Sequence, residues 1–342
     1  MIAEENVGSV NKVKYLKPEV ISYAHHAFPL GMIRQNSCSE MWFVSNYIYL
    51  YSRPGENMFN FLVEYVNNPF IDMRHIYKDE FDWICQKASL EEWIKKEVVQ
   101  GCAFEIMVDY YYLPSSKFYH NEHKMHEILV IGFDNDDCYY WDYVKGIYKE
   151  SVCKWKEIVP HEDELLYGEG IKAKIIKPKN STYIFRLESV VEQLKDYLES
   201  RNVYEKIALW GDHYRYRKCT YGMDCTKMLI NYLNNNKYKR IDYRYINVFY
   251  EHKKCMRIRM EYISQKIVYM SKEKWIMLER EWESVLKLSL FYDIKLEKGE
   301  CDRKTYAIIV EKIEKLYWLE REVLEQTIAF MEGLGKSNSI RL

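Results

Sequence analysis

The sequence predicts an α+β protein with a mixed N-terminal domain and an all-helical C-terminal domain. In the first half, β-branched and aromatic runs indicate strands at 103–112, 128–133 and 138–144. Beyond Arg186 the apolar residues recur instead at the spacing of amphipathic helices. The Lys177-Pro178-Lys179-Asn180 segment is typical of a linker. We therefore expect a catalytic domain at 1–180 and a helical domain at 181–342.

The remaining elements of the first half are two helices and two strands. The first helix has its apolar face at Met41, Val44, Ser45 and Ile48, and the Arg53-Pro54-Gly55 break should end it. The second contains Trp93, Ile94 and Val98 and should end near Gly101. The polar turn at 134–137 joins two of the strands into a hairpin, and further strands are predicted at 171–176 and 183–185.

The second half consists of segments with helical periodicity. The first contains Leu187, Val190, Val191, Leu194 and Leu198. Three more are expected at 223–233, 250–267 and 272–288. Asp302 can cap a final helix that ends at Gly333. These segments together predict a helical bundle.

Composition and charge exclude several classes of protein. The 342 residues are 48% hydrophobic and 30% charged, and no stretch is apolar enough to span a membrane. Nine cysteines without regular spacing favour a reducing cytoplasm over a disulfide framework. Residues 1–185 hold 20 basic and 27 acidic side chains, and the rest hold 30 and 24. Basic and acidic side chains are too mixed in both halves to indicate a nucleic-acid partner. The sequence does not determine the oligomeric state, and a homodimer is possible.

Cys38 is the candidate nucleophile. Ser37 and Glu40 form a capping-box pattern ahead of the apolar helix, which places Cys38 in its first turn. The helix dipole and the free N–H groups there lower a thiol pKa and can stabilise an oxyanion. A free cysteine also packs as a small hydrophobe, and we take the other cysteines as structural.

His126 is the candidate base and Asp142 the candidate orienting acid. His126 opens the strand 128–133, and the next strand runs back from Cys138 and carries Asp142. A hairpin through the 134–137 turn returns Asp142 to the neighbourhood of residue 127. An acid beside the imidazole can orient the ring and stabilise its protonated form. The sequence thus predicts a Cys38–His126–Asp142 triad.

Several short motifs resemble the butirosin-biosynthesis H N-terminal family, whose members are papain-like and related to the C39 peptidases. The likeness covers roughly residues 20–160. It rests on the segments Asp109-Tyr110-Tyr111-Tyr112-Leu113-Pro114, Ile131-Gly132-Phe133-Asp134 and Tyr140-Trp141-Asp142, and on Tyr119, His120, His123 and His126. The helical half, with Tyr221-Gly222 and Glu251-His252-Lys253, is similar to the tail seen in thiotemplated assembly pathways, including closthioamide-type amide-forming enzymes.

The resemblance implies a papain-like fold and an acyltransferase of natural-product (antibiotic) biosynthesis with this triad. An acyl or peptidyl group would pass from a carrier-protein thioester, through acyl-Cys38, to a small amine and form an amide. This chain would bind no cofactor, and the phosphopantetheine would belong to the carrier protein. Papain-like enzymes place an oxyanion glutamine about six residues before the cysteine, where this sequence has Met32. Gln35 and Asn36 are therefore both candidates for the oxyanion donor.

Other polar residues near the motifs are candidates for substrate binding. They are His26, from a histidine pair placed in a loop, Asp109, Tyr111 and His123. Asp109 could hold the amine, or the tyrosine run could simply be a strand. The triplet His120, His123 and His126 could bind zinc with Asp142 or Cys138, but His126 starts a strand and the cysteines lack paired spacing. We therefore predict no metal site.

Two further function classes stay open. One is a cysteine peptidase or amidase of the same fold, and the other is a non-catalytic scaffold that binds a carrier protein. An acidic carrier could dock on a basic surface of the helical half, although a solvated helix face would look the same in sequence. The residues of that predicted surface are Arg215, Arg217, Lys218, Lys253, Lys254, Arg257 and Arg259.

Overall fold

The computed structural model describes residues 10–53, 58–63, 65, 68–160, 170–203, 218–267 and 271–337. The protein is mixed α+β and forms two compact units. The first unit is Met1–Ser39 with Glu64–Thr182, and the second is Glu40–Val63 with Tyr183–Leu342. The predicted division at residue 180 differs from this one because residues 40–63 belong to the second unit.

A seven-stranded antiparallel sheet forms the first unit. Its order is β4-β9-β5-β6-β7-β8, and the short β1 pairs with β6. The strands are β1 (Asn11–Lys12), β4 (Ile71–Tyr77), β5 (Ala103–Asp109), β6 (Met125–Asp134), β7 (Asp137–Val144), β8 (Ile147–Lys154) and β9 (Ile171–Pro178). The predicted β6–β7 hairpin is present, and it turns at Asn135, which has a positive φ of 43°. A two-residue turn at Lys145-Gly146, both with positive φ, joins β7 to β8 as in a type I′ hairpin.

Three helices belong to the first unit: α1 (Ala24–Ile33), α3 (Lys78–Cys85) and α4 (Leu90–Val99). Trp93 of α4 packs edge-on against Phe104, so α4 covers the face of the sheet that carries Phe104. Tyr15 packs on Trp141 and donates to the carbonyl oxygen of Ala27 in α1. Trp141 pairs with Leu129, and Leu129 pairs with Glu105, so these three side chains lie on one face of the sheet. Helix α1 therefore covers the face opposite to that of Phe104. We call these the Phe104 face and the Glu105 face.

The second unit combines helices with a small sheet of three strands. The helices are α2 (Ser39–Asn46), of which Ser39 falls in the first unit, α5 (Leu187–Leu198), α6 (Asp224–Asn235), α7 (Tyr243–Lys266), α8 (Glu273–Glu297) and α9 (Arg303–Ser337), and the strands are β2 (Leu50–Ser52), β3 (Phe59–Phe61) and β10 (Thr220–Tyr221). Within the described part of the predicted helical domain, 181–342, the one strand is the two-residue β10, and it pairs with β2. The helix predicted to reach residue 53 ends at Asn46, and no strand forms at 183–185.

Buried polar groups of α7 hold residues 40–63 in the second unit. Arg259 donates to the carbonyl oxygens of Val44 (2.6 Å) and Tyr47 (3.0 Å), at the end of α2 where such oxygens lack helical partners. The His252 imidazole bonds the carbonyl oxygen of Ile48 at 2.8 Å. A guanidinium group buried in this way satisfies acceptors that would otherwise destabilise the fold.

The same burial corrects the predicted basic docking surface. Lys253 and Arg259 are buried, and Lys253 donates to Glu320. Arg257 is ion-paired with Glu261 and Glu279. Arg215 and Arg217 lie outside the described residues, so only Lys218 and the half-buried Lys254 still suit that surface. No helix in the described part of the chain is both long and apolar enough to cross a membrane.

Candidate active site

The structure brings His126 and Asp142 together at one end of the sheet. His126 lies opposite Val108 near the start of β6, and its Nδ1 is 3.6 Å from Asp142 Oδ1. The imidazole side chain is 33% exposed, whereas the carboxyl side chain is 1% exposed. The ring of Tyr110 stacks on the imidazole with centroids 5.1 Å apart and an interplanar angle of 20°. One side of the pair is thus buried, and the imidazole reaches solvent.

Two donors hold the Asp142 carboxyl group. The Tyr110 hydroxyl donates to Oδ1 at 2.5 Å, and the Tyr143 backbone N–H donates to the same oxygen at 2.6 Å. Burial raises the pKa of Asp142 to about 6, against the lowering effects of His126 and of these two hydrogen bonds. The group is therefore largely a carboxylate above about pH 6, where it can stabilise an imidazolium.

The proton position on His126 follows from its nearest acceptor. Nδ1 lies 2.9 Å from the backbone carbonyl oxygen of Glu127, which can only accept. Neutral His126 therefore carries its proton on Nδ1 and leaves the lone pair of Nε2 available. At 3.6 Å, Asp142 acts on the ring through its charge and not through a direct hydrogen bond. This arrangement suits a general base.

Cys38 lies elsewhere. Asn36 accepts a hydrogen bond from the Cys38 N–H at 2.8 Å and donates to the carbonyl oxygen of Lys179 at 3.4 Å. Ile176 of β9 pairs with Ala103 of β5, and Lys179 lies three residues beyond Ile176. His126 pairs with Val108, which lies five residues from Ala103 in the opposite direction along the sheet. At roughly 3.3 Å per residue, these positions separate Lys179 from His126 by about 26 Å along the strands.

Cys38 and His126 also belong to different elements. Cys38 follows the C-terminal end of α1, whereas His126 lies in β6 opposite Val108. Across the described ranges, no hydrogen bond joins the Cys38 thiol to His126. Of the predicted triad, His126 and Asp142 meet, and the contacts of Cys38 are with Asn36 and not with this pair. Cys38 immediately precedes Ser39, the first residue of α2, and so lies at the N-terminal end of this helix.

The two predicted oxyanion donors stay near Cys38. The Gln35 amide contacts the Met32 sulfur at 3.5 Å. The Asn36 side chain is engaged with Cys38 and Lys179, as described above. Neither residue is placed beside His126 by these contacts. The predicted loop position of His26 was wrong, because His26 is buried within α1 and bonds the Tyr65 hydroxyl at 3.0 Å.

The other predicted substrate-binding residues form a cluster of their own. His123 Nδ1 lies 2.6 Å from Asp109 Oδ2, and the ring of Tyr111 stacks on His123 at 4.2 Å. Asp109 lies opposite Met125, one position along β5 from the partner of His126. The chain thus presents two carboxylate–imidazole pairs at the same end of the sheet. Their separate partners do not form a shared metal site, and no group of three metal-ligating side chains occurs within the described residues.

Sequence reasoning missed the parts played by Tyr110 and Tyr143. Tyr110 was noted only as part of a tyrosine run, yet it stacks on His126 and binds Asp142. The Tyr143 ring also meets His126 edge-on, at 5.8 Å. Strand alternation could have indicated this, because Tyr110 lies two residues after Val108 and so lies on the same face of the sheet.

The chain matches no protein-family model, and no curated protein matches it.

Proposed function

We propose that the chain is a papain-like acyltransferase that moves an acyl or peptidyl group from a carrier-protein thioester to an amine, forming an amide. The observation that supports this best is the His126–Asp142 pair, with Nε2 left as an acceptor. The motif resemblance, which includes both residues, supports the same class of reaction. In place of the expected acyl-Cys38 route, His126 acts as the general base in a direct transfer.

The reaction follows from the geometry of His126. The amine nitrogen attacks the thioester carbon, and Nε2 accepts a proton from that nitrogen as the C–N bond forms. The Asp142 carboxylate stabilises the imidazolium through its charge. The C–S bond then breaks, and the imidazolium returns the proton to the departing thiolate. Aminolysis of a thioester runs downhill, so no nucleotide is consumed.

The test offers acyl-loaded carrier protein with and without a small diamine and separates amide from free acid. We expect mostly amide from the wild type, and a loss of about a hundredfold or more in His126→Asn. Asparagine can still donate to the Glu127 carbonyl oxygen from a position near Nδ1, so the local structure has a replacement donor. His120→Asn removes an exposed imidazole outside the His126–Asp142 pair and serves as the matched control.

The other classes give different products. Free acid as the sole product across a broad panel of acceptors would indicate a hydrolase of the same fold. The position of Cys38 favours a second candidate, the non-catalytic scaffold, because the expected nucleophile does not reach the base. That candidate predicts binding of the carrier protein with no turnover in either wild type or His126→Asn.

A further inference from the structure

Asp109 and His123 form a hydrogen-bonded pair on the Glu105 face. Asp109 and Glu105 share a parity on β5, whereas His126 lies across from Val108 on the other face. Asp109 is 4% exposed and His123 has a side chain 61% exposed. The carboxyl group is therefore buried behind an imidazole that faces solvent.

The orientation of His123 is set on two sides. Its Nδ1 donates to Asp109 Oδ2 at 2.6 Å, and its ring lies parallel to Tyr111, with centroids 4.2 Å apart and an interplanar angle of 12°. Tyr112 approaches the same ring edge-on at 6.1 Å. Among the residues that the structure describes, Nε2 has no hydrogen-bond partner. The lone pair of this nitrogen therefore points away from its anchors.

The environment of Asp109 favours its ionised form, which can stabilise a positive charge on the imidazole. Burial acts to raise the pKa of Asp109, but hydrogen bonds from His123 and from the backbone N–H groups of Tyr111 and Lys124 hold it below its usual range. A carboxylate with these donors stays ionised at neutral pH. It orients the ring as the carboxylate of a catalytic triad does.

We propose that His123 is the nucleophile of a second acyl-transfer centre, separate from His126, that takes aryl esters and aryl thioesters. No hydroxyl or thiol within the described residues is bonded to Nε2, so the imidazole is itself the attacking group. The half-buried ring of Tyr111 and the exposed ring of Tyr112 provide a surface on which an aromatic leaving group can stack.

The step is balanced without any further reagent. The Nε2 lone pair attacks the carbonyl carbon, the C–N bond forms, and the bond to the aryl oxygen or sulfur breaks as the phenolate or thiophenolate leaves. The resulting acyl-imidazolium keeps its Nδ1 proton, and Asp109 balances its charge. Water or an amine then attacks the acyl carbon, the bond from this carbon to Nε2 breaks with its electron pair returning to the nitrogen, and the attacking group loses a proton to solvent.

A structural role for the pair is the competing explanation. Asp109 also accepts from the backbone N–H groups of Tyr111 (3.0 Å) and Lys124 (3.3 Å), at the two ends of the 110–124 connection. Changing Asp109 could therefore disturb this connection. His123→Asn is the informative variant, because its amide can replace the Nδ1 donor while nothing occupies the position of Nε2.

The experiment follows the release of 4-nitrophenolate from 4-nitrophenyl acetate, with peptide mapping of the quenched protein by mass spectrometry. We expect a burst of about one equivalent per chain, with the acetyl group on His123. His123→Asn should lose the burst, and Asp109→Asn should slow it by about a hundredfold. His75→Asn is the matched control, because His75 lies in β4, which is separated from β5 by β9.

The outcome separates this centre from the proposed function. A burst that survives in His126→Asn while amide formation is lost supports two independent centres. A burst that persists in His123→Asn, or acetyl groups spread equally over His120 and His123, overturns the inference and leaves the proposed function standing. A burst on His123 without any amide from a loaded carrier would keep this centre and remove the proposed function.

Discussion

Replacing Asp142 by asparagine should separate catalysis from stability. The carboxyl pKa is about 6 in the folded protein and has an ordinary value of 3.8, so the folded state binds this proton more tightly than the unfolded state. The ionised group therefore reduces the free energy of unfolding as pH rises from about 4 to about 6. The difference of about two pKa units corresponds to about 3 kcal/mol above that range.

Asparagine removes this pH-dependent cost, because it stays neutral and its oxygen can still accept from Tyr110 and the Tyr143 N–H. The buried amide N–H group adds a cost of about 1–3 kcal/mol if it finds no acceptor, but that cost does not depend on pH. The stability of Asp142→Asn relative to wild type should thus increase by about 3 kcal/mol between pH 4 and pH 8.

Urea unfolding at several pH values measures this change directly, with amide formation assayed on the same samples. We expect the rate to fall at least about tenfold at pH 8 without a matching loss of stability. An unfolding free-energy difference that stays constant with pH would refute the burial argument for Asp142. Full activity in the variant would refute its part in catalysis.

Three further predictions address the neighbouring residues. Tyr110→Phe keeps the ring that stacks on His126 but removes a hydrogen bond that lowers the pKa of Asp142. The acidic limb of the pH–rate profile, near pH 6 in wild type, should therefore move to higher pH, with a rate loss of about tenfold at pH 7. An acidic limb at the wild-type pH would contradict this prediction. Cys38→Ala should keep amide formation within about twofold of wild type, since Cys38 is remote from His126, and loss of turnover in a folded variant would restore the triad. Arg259→Ala should lower the unfolding free energy by about 3–5 kcal/mol, because the carbonyl oxygens of Val44 and Tyr47 lose their buried donor. Replacing the exposed Lys218 by alanine should change the unfolding free energy by less than about 0.5 kcal/mol. Equal effects of the two variants in urea unfolding would contradict the role of burial.

The part of the site that the sequence predicted depends on local geometry. The 134–137 turn and the two-residue alternation of strands are short-range rules, and together they bring Asp142 back to His126. The capping pattern at Ser37 and Glu40 is equally local, and it marked the beginning of a helix near Cys38. It carried no information about which end of the sheet that helix would approach, so the local pattern could not place Cys38 relative to His126.

Three other features depend on tertiary contacts that the local sequence pattern does not indicate. Helix α1 is buried almost throughout and contains Pro29, so its sequence lacks the amphipathic period that would have revealed it. The bond between Asp109 and His123 spans a connection of irregular structure, which alternation cannot predict. Lys253 and Arg259 occupy helical positions where charged residues are usually solvated, and only their acceptors, Glu320 and the carbonyl oxygens of α2, explain their burial.

The most direct test of the account compares His126→Asn and Cys38→Ala in the same amide-forming assay. Acyl-loaded carrier and a small diamine are supplied, and both amide and any acylated protein are quantified by mass spectrometry. We expect Cys38→Ala to form amide at close to the wild-type rate, whereas His126→Asn should lose about a hundredfold or more. An acyl group found on Cys38 of the wild type, with no amide formed by Cys38→Ala, would contradict it.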